Sequence, residues 1–454
     1  MGTSSEKETK MNEPLIHVGI IQNEKIIKFT LLSTYKLQGK EFEKGDYYVE
    51  IENDKINFNG EMYDELTFEA DHLHSDYFEL KDVTIGVEFH WERKEFQQFL
   101  GGLKFILTGE GEEKAITAIN IVSLEDYLKS VISSEMSSTS SEKLLKAHAI
   151  ISRSWILAQI IKNQTIRKEQ DDYQTSIVTS TEIIKWYDRE DHEHFDVCAD
   201  DHCQRYQGIT RQTTDLVNRV VDETMGMVIT YKGSIADARY SKCCGGVMET
   251  FENVWEPIVH PYLQGKPDNF SGQPFNDLCG EEDANEWIRS SPDAFCNTWD
   301  SNVLKQVLND YDQETADFYR WTVTYSQDEL SELIKEKLGY DFGNILELIP
   351  LERGTSGRIS RLKIIGTERI LIIGKELEIR KALSKSHLYS SAFVVDTFDE
   401  DEDGIPQKFV LKGAGWGHGV GLCQIGAAMM ADKGHDHTEI LKHYFPDTKI
   451  KTEY

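Results

Sequence analysis

The 454 residues include 49 Lys and Arg against 79 Asp and Glu, a formal net charge of −30, with 39% hydrophobic residues. That apolar share supports two or three packed domains and excludes a disordered chain. A field of this sign repels phosphate backbones and anionic lipid surfaces, which excludes nucleic acid or a membrane face as the main partner.

Residues 1–15 read as a disordered leader: the opening Met1-Gly2-Thr3-Ser4-Ser5-Glu6 has no apolar signal core. The chain is then either cytosolic or a mature or trimmed form. No stretch approaches the roughly 20 apolar residues of a membrane span. Residues 16–115 are short apolar runs broken by Gly, Asn and Asp, which predicts a β-rich part with a small inserted unit near 45–110. From Ser123 the period becomes helical, with Leu124, Tyr127, Leu128, Val131 and Ile132 on one stripe and Ser123 with Asp126 as its cap. A second helix is predicted after Thr139, boxed by Glu142, to about residue 161. Residues 163–215 are polar and loop-like, and strands follow at 227–231 and 236–240. Residues 266–320 read as a surface insertion, helical at 283–290. Strands return at 321–325, 361–365 and 370–373, before a glycine-rich loop, a short helix ending at Gly434 and a last helix at 438–443. The fold class is α+β: a mixed β-sheet core carrying a helix pair, in two halves over 116–265 and 321–454.

The first helix ends its apolar stripe in a carboxylate, because the i+11 member of the series from Leu124 is Glu135. An acid held against apolar neighbours keeps its proton nearer neutrality, as a general acid for glycosidic cleavage must. The competing reading is a helix that frays after Ile132 and leaves Glu135 solvated. On the second helix Arg153 shares the inward face of Leu145 and Ala149, where it can hold a carboxylate of enzyme or substrate or lie over the core.

Residues 192–203 read His-Glu-His-Phe-Asp-Val-Cys-Ala-Asp-Asp-His-Cys. His192 or His194, Cys198, His202 and Cys203 form a donor set for a tetrahedral, structural zinc ion. A Cys198–Cys203 disulfide with surface histidines is the alternative. Tyr240-Ser241-Lys242-Cys243-Cys244-Gly245-Gly246 follows a strand, and its paired glycines allow a ligand to approach the backbone closely; Cys243 and Cys244 read as small packing residues. Between Gly413 and Gly421 glycine stands at every second position. It is no Walker loop, because the Gly-Lys-Ser/Thr ending is absent. There His418 and Gln424 offer neutral hydrogen bonds suited to sugars, unless the loop is only a glycine turn packed under a helix.

Together, Leu124-Glu125-Asp126-Tyr127-Leu128, Ser134-Glu135-Met136, Leu145-Lys146-Ala147-His148-Ala149, Arg153 and the Gly-His-Gly-Val-Gly string with its following Gln and Gly-Ala resemble the SpoIID and amidase-enhancer family. The resemblance covers roughly 115–265 and 320–450. It implies a lytic transglycosylase of peptidoglycan glycan strands with Glu135 as its acid, or a glycan-binding amidase enhancer whose partner is a cell-wall amidase. It also implies zinc, with the His192 to Cys198 step fitting better than His194, and an exported, periplasmic or cell-surface setting. Substrate contacts would fall on Arg153, Tyr240, Ser241, Gly245, Gly246, His418 and Gln424. The sequence departs from the family at Cys244, where Ser is usual.

Overall fold

The computed structural model describes residues 12–86, 92–137, 139–169, 175–186, 192–200, 203–211, 214–270, 276–307 and 317–454. The strand Leu15–Glu24 organises the N-terminal half. It pairs antiparallel with Ala115–Ser123, placing Ile16 opposite Val122, and parallel with Val197–Cys198, placing Gly19 opposite Cys198. A Cβ on Gly19 would lie 2.6 Å from the Phe195 ring, so the strand approaches the 192–203 segment at a distance only glycine permits. Gly102–Thr108 and Glu65–Ala70 extend the same sheet. Ile26–Leu31, Gly45–Glu52 and Tyr77–Ile85 belong to a second, six-stranded sheet. Alternate residues of the two sheets meet in an aromatic core, with Phe29–Phe105 and Phe58–Phe68 centroids each 5.2 Å apart. The strands of 45–110 are shared between the two sheets.

Helix α1, Leu124–Glu135, begins as its sequence predicts: the Ser123 hydroxyl accepts the Asp126 N–H at 3.3 Å. Leu124, Tyr127, Leu128, Val131 and Ile132 are all buried. Met136 turns extended while its N–H still reaches the Ile132 carbonyl, so the helix holds through Glu135 and does not fray after Ile132. Helix α2, Glu142–Glu169, starts later and ends later than predicted. Its cap is Ser141, whose hydroxyl accepts the Leu144 N–H at 3.3 Å; the Thr139 hydroxyl instead meets Ser137. Contrary to the sequence expectation, 142–165 is long and apolar enough, by length and composition, to cross a membrane, but its most apolar 18-residue window is 78% buried inside the fold, as in a core helix.

The loop-like 163–215 stretch also contributes structure. Glu182–Lys185 pairs parallel with Ile370–Gly374, continuing the sheet of Ile345–Arg353 and Ile359–Gly366, because Ile183 and Ile184 bury there. Nor is 266–320 only a surface insertion. Ala284, Ile288, Val303, Leu304 and Val307 are buried, and the helix Ser301–Val307 packs on the helix Gln424–Asp432.

Candidate functional site

Glu135 is half-buried, and its Oε1 accepts the Arg205 N–H at 3.2 Å. That bond belongs to a strip, residues 203–207, laid along α1. Tyr127 donates to Gln204 at 3.3 Å, the Gln207 N–H donates to Ser130 at 3.1 Å, and Tyr206 stacks on Tyr127 at 5.1 Å. The turn beyond Glu135 is fixed as well. The Ser137 N–H and Ser140 hydroxyl both donate to the Gln306 carbonyl, and Lys242 reaches the carbonyl of neighbouring Val307 at 2.7 Å. The carboxylate is thus held by a loop 70 residues away in sequence, and the turn that follows it is anchored on a helix of the 266–320 segment.

The same loop contains a group of donors fit for a metal ion. Single ligand atoms of His192, Cys198 and Cys203 lie within 4.8 Å of one another, with His192 Nε2 at 3.3 Å from Cys203 Sγ. These separations match the edges of a tetrahedron with metal–ligand bonds of about 2.0–2.3 Å. His194 stands apart, its Nε2 3.8 Å from Glu193 and its side chain 45% exposed. His202 lies outside the described residues. Cys198 and Cys203 are not joined in a disulfide in this structure. An open cavity of about 480 Å³ borders this group at His192, Cys198, Asp200 and Arg205, but Glu135 is not among its lining residues.

Arg153 pairs with a carboxylate of its own chain. Its guanidinium is fully buried and donates to Glu125 at 2.9 and 2.6 Å and to the Met227 carbonyl at 3.0 Å. Of the two carboxylates the sequence offered it, the structure places that of Glu125 against Arg153.

The glycines serve the protein's own packing. A Cβ on Gly245 would sit 2.8 Å from the Gly415 nitrogen, and one on Gly246 2.7 Å from the Tyr319 hydroxyl, both at positive φ. At these two glycines the close approach is made by the Ala414–Gly415 backbone and by Tyr319. The loop 413–421 wraps a residue that spacing did not single out, Arg358, which is 2% exposed. It donates to the carbonyls of Gly417 and Cys244 at 3.1 Å and to Ser356. Buried Glu249, also missed, accepts from Thr355 and Ser356 through both backbone and hydroxyl groups. Neither has a local motif, because the contacts that tie Arg358 to Gly417 and Cys244, and Glu249 to Thr355 and Ser356, span more than 50 residues of sequence.

Tyr240–Ser241 pairs parallel with Leu422–Cys423. Tyr240 is half-buried and lies edge-on to His148 at 4.5 Å, and the Ser241 Oγ is buried without a hydrogen-bond partner. Gln424, 2% exposed, has its amide nitrogen 3.1 Å from His148 Nε2, joining the last helices to α2 rather than facing a ligand. Burial, then the Lys242 charge, pushes the His148 pKa down to about 3, so the pair is neutral. His418 is also occupied. Its Nδ1 accepts the Val420 N–H at 3.0 Å, the Tyr240 backbone hydrogen-bonds the ring, and Trp255 lies edge-on at 4.8 Å. Burial and the charges of Arg239, Arg358 and Arg380 hold its pKa well below the imidazole range. The sequence argument expects His418→Ala to spare the fold. The geometry predicts the reverse, a loss of about 1–3 kcal/mol from the orphaned Val420 N–H and the emptied space, readable as a lowered melting temperature. An unchanged melt with lost glycan binding would return His418 to the ligand.

Residues 112–231 match the family model described as Stage II sporulation protein (SpoIID), and residues 249–421 match a Domain of unknown function (DUF8618). The first match holds α1, α2, Glu135 and the metal-ligand group; the glycine-rich loop falls in the second. The chain is 25% identical over 353 residues to an uncharacterized protein of Brachyspira hyodysenteriae, covering 78% of this chain and 72% of that one. It is 23% identical over 334 residues to the stage II sporulation protein D of Bacillus subtilis, covering 73% and 76%. To the amidase enhancer of Bacillus subtilis it is 23% identical over 256 residues, 51% of this chain but only 32% of the relative. The family resemblance read from the α1 and α2 strings is therefore shown.

Proposed function

From a chain that carries a SpoIID domain over residues 112–231, we propose a cell-wall enzyme, a lytic transglycosylase that cleaves peptidoglycan glycan strands stripped of stem peptides. Glu135 protonates the glycosidic oxygen as the C1–O bond breaks. As a carboxylate it then takes the proton from the C6 hydroxyl of the muramic acid, whose oxygen bonds to C1 and closes a 1,6-anhydro ring. One carboxylate serves both steps, so no second acid at a fixed spacing is needed. The observation that carries this reading is the fixed, half-buried carboxylate at the end of α1, oriented by the Arg205 N–H. Tyr240 and Lys242 supply further polar groups for a strand of sugars. The substrate is extracellular, so the reading includes export to the envelope.

Zinc fits the donor set of His192, Cys198 and Cys203, with His202 completing it; when bound it fixes the 198–207 loop and with it the Arg205 donor on Glu135. Removing it with a chelator is expected to lower the melting temperature before it changes the chemistry of folded molecules. A melt insensitive to chelation, in protein shown to contain zinc beforehand, would deny the metal this role.

A second reading rests on the relative named amidase enhancer: a module that holds glycan and stimulates a separate amidase without cutting. Incubating the chain with denuded glycan strands and analysing products by mass spectrometry decides between the two. Anhydro-muramic ends support the transglycosylase; intact strands, together with faster amidase turnover, support the module.

A further inference from the structure

We infer that Cys244, Asp268, Cys296 and Cys423 form a second metal site, a closed structural zinc centre that is separate from the His192 group and independent of the proposed catalysis. The four residues come from four distant parts of the chain, and each is buried. One ligand atom from each lies within 4.8 Å of all the others. Cys244 Sγ is 3.5 Å from Cys296 Sγ and 3.5 Å from Asp268 Oδ2. A tetrahedral zinc ion with bonds of about 2.3 Å to sulfur and about 2.0 Å to oxygen has S–S edges near 3.8 Å and S–O edges near 3.5 Å. A disulfide, by contrast, needs sulfurs about 2.05 Å apart.

The surroundings suit ligands rather than packing thiols. Asp268 is 0% exposed and makes no ion pair with Lys or Arg among the described residues; the Tyr444 hydroxyl and His443 hold its Oδ1 at 2.8 and 3.4 Å, while Oδ2 faces the sulfurs and accepts the Cys296 N–H. This is the arrangement by which outer groups orient a metal-binding carboxylate. The Cys244 N–H points at Cys423 Sγ at 3.2 Å, a donor placed for a thiolate. Cys423 stands directly before the helix Gln424–Asp432, whose amide end favours negative charge. A buried carboxylate beside three sulfurs is costly without a cation and stable with one. On binding, three S–H bonds break, three S–metal bonds form, and the three protons leave to solvent. All four positions are then filled, so no site remains for water or substrate. The ion ties the 266–320 segment, through Asp268 and Cys296, to Cys244 and to the base of the glycine-rich loop.

The test uses the full chain purified under reducing conditions from zinc-supplied cells. Cys296→Ser is expected to carry about one zinc ion fewer per chain than the parent, whatever the occupancy of the His192 group, because only the second site has lost a ligand. In Cys198→Ser/Cys203→Ser the site should keep about one metal, and cobalt exchange should give the thiolate-to-cobalt charge-transfer band of three sulfurs. An unchanged metal count in folded Cys296→Ser overturns the site, as does a Cys244–Cys296 disulfide mapped in the parent. If the variants do not fold, the cobalt-loaded parent decides. A band of more than two thiolates per chain upholds the site, and one of two or fewer overturns it.

Discussion

Glu135→Gln is expected to abolish release of anhydro-muramic products while leaving the fold and glycan binding nearly intact. The amide has the carboxylate's shape, and its oxygen can still accept the Arg205 N–H that fixes the side chain. It cannot donate a proton to the leaving oxygen or take one from the C6 hydroxyl. General acid–base catalysis contributes roughly 10²–10⁴-fold per step, and here one group serves two steps, so turnover should fall by about a thousandfold or more. Product analysis on denuded strands reads the loss, and a thermal melt checks the fold. A variant that cuts at the parental rate would remove Glu135 from the chemistry.

Arg153→Met should be the most destabilising single change in the helix pair. The guanidinium and Glu125 are 0% and 6% exposed at the side chain, and Glu125 also accepts the Gly226 N–H and the Tyr454 hydroxyl. Removing one partner of a buried pair strands the other charge, which costs about 3–5 kcal/mol. Replacing both, with Arg153→Met and Glu125→Leu together, should recover part of that loss, because the uncompensated charge is gone. Denaturant melts of the single and double variants measure it. Unchanged stability in Arg153→Met, with glycan binding lost, would instead restore the substrate contact that the sequence suggested.

What the sequence disclosed was local. The cap at Ser123 and the stripe ending in Glu135 depend on spacing within about a dozen residues, and the structure holds both; His192 and Cys198, six residues apart, also lie with Cys203 close enough to share a metal ion. The strands 227–231 and 370–373 were legible for the same reason, as apolar runs between turn residues. Pairings set by tertiary contact were not. His418 between glycines looks ligand-facing until Val420 and Tyr240 are seen to occupy its ring, and Gln424 looks polar and available until His148 appears from α2. Cys244 reads as a small packing residue beside Cys243, because its approach to Cys296 spans 52 positions. The role of Arg358, wrapped by the loop 413–421, was invisible for the same reason.

The Arg153–Glu125 pair also bears on how quickly the molecule can form. Arg153 reaches Glu125 across 28 residues, but the Tyr454 hydroxyl that completes the cluster is 329 residues from it. By loop-closure entropy the longer contact costs about 2 kcal/mol more to bring together than the shorter. The strand Lys449–Thr452 must likewise find Met227–Tyr231, and Leu15–Glu24 must wait for Val197–Cys198. Folding dominated by such remote pairings is slow, and until they close the sheets present open edges to other chains. The buried charge that secures the finished core is therefore among the last features to become fully satisfied, and the interval before closure is when the chain is most exposed to aggregation.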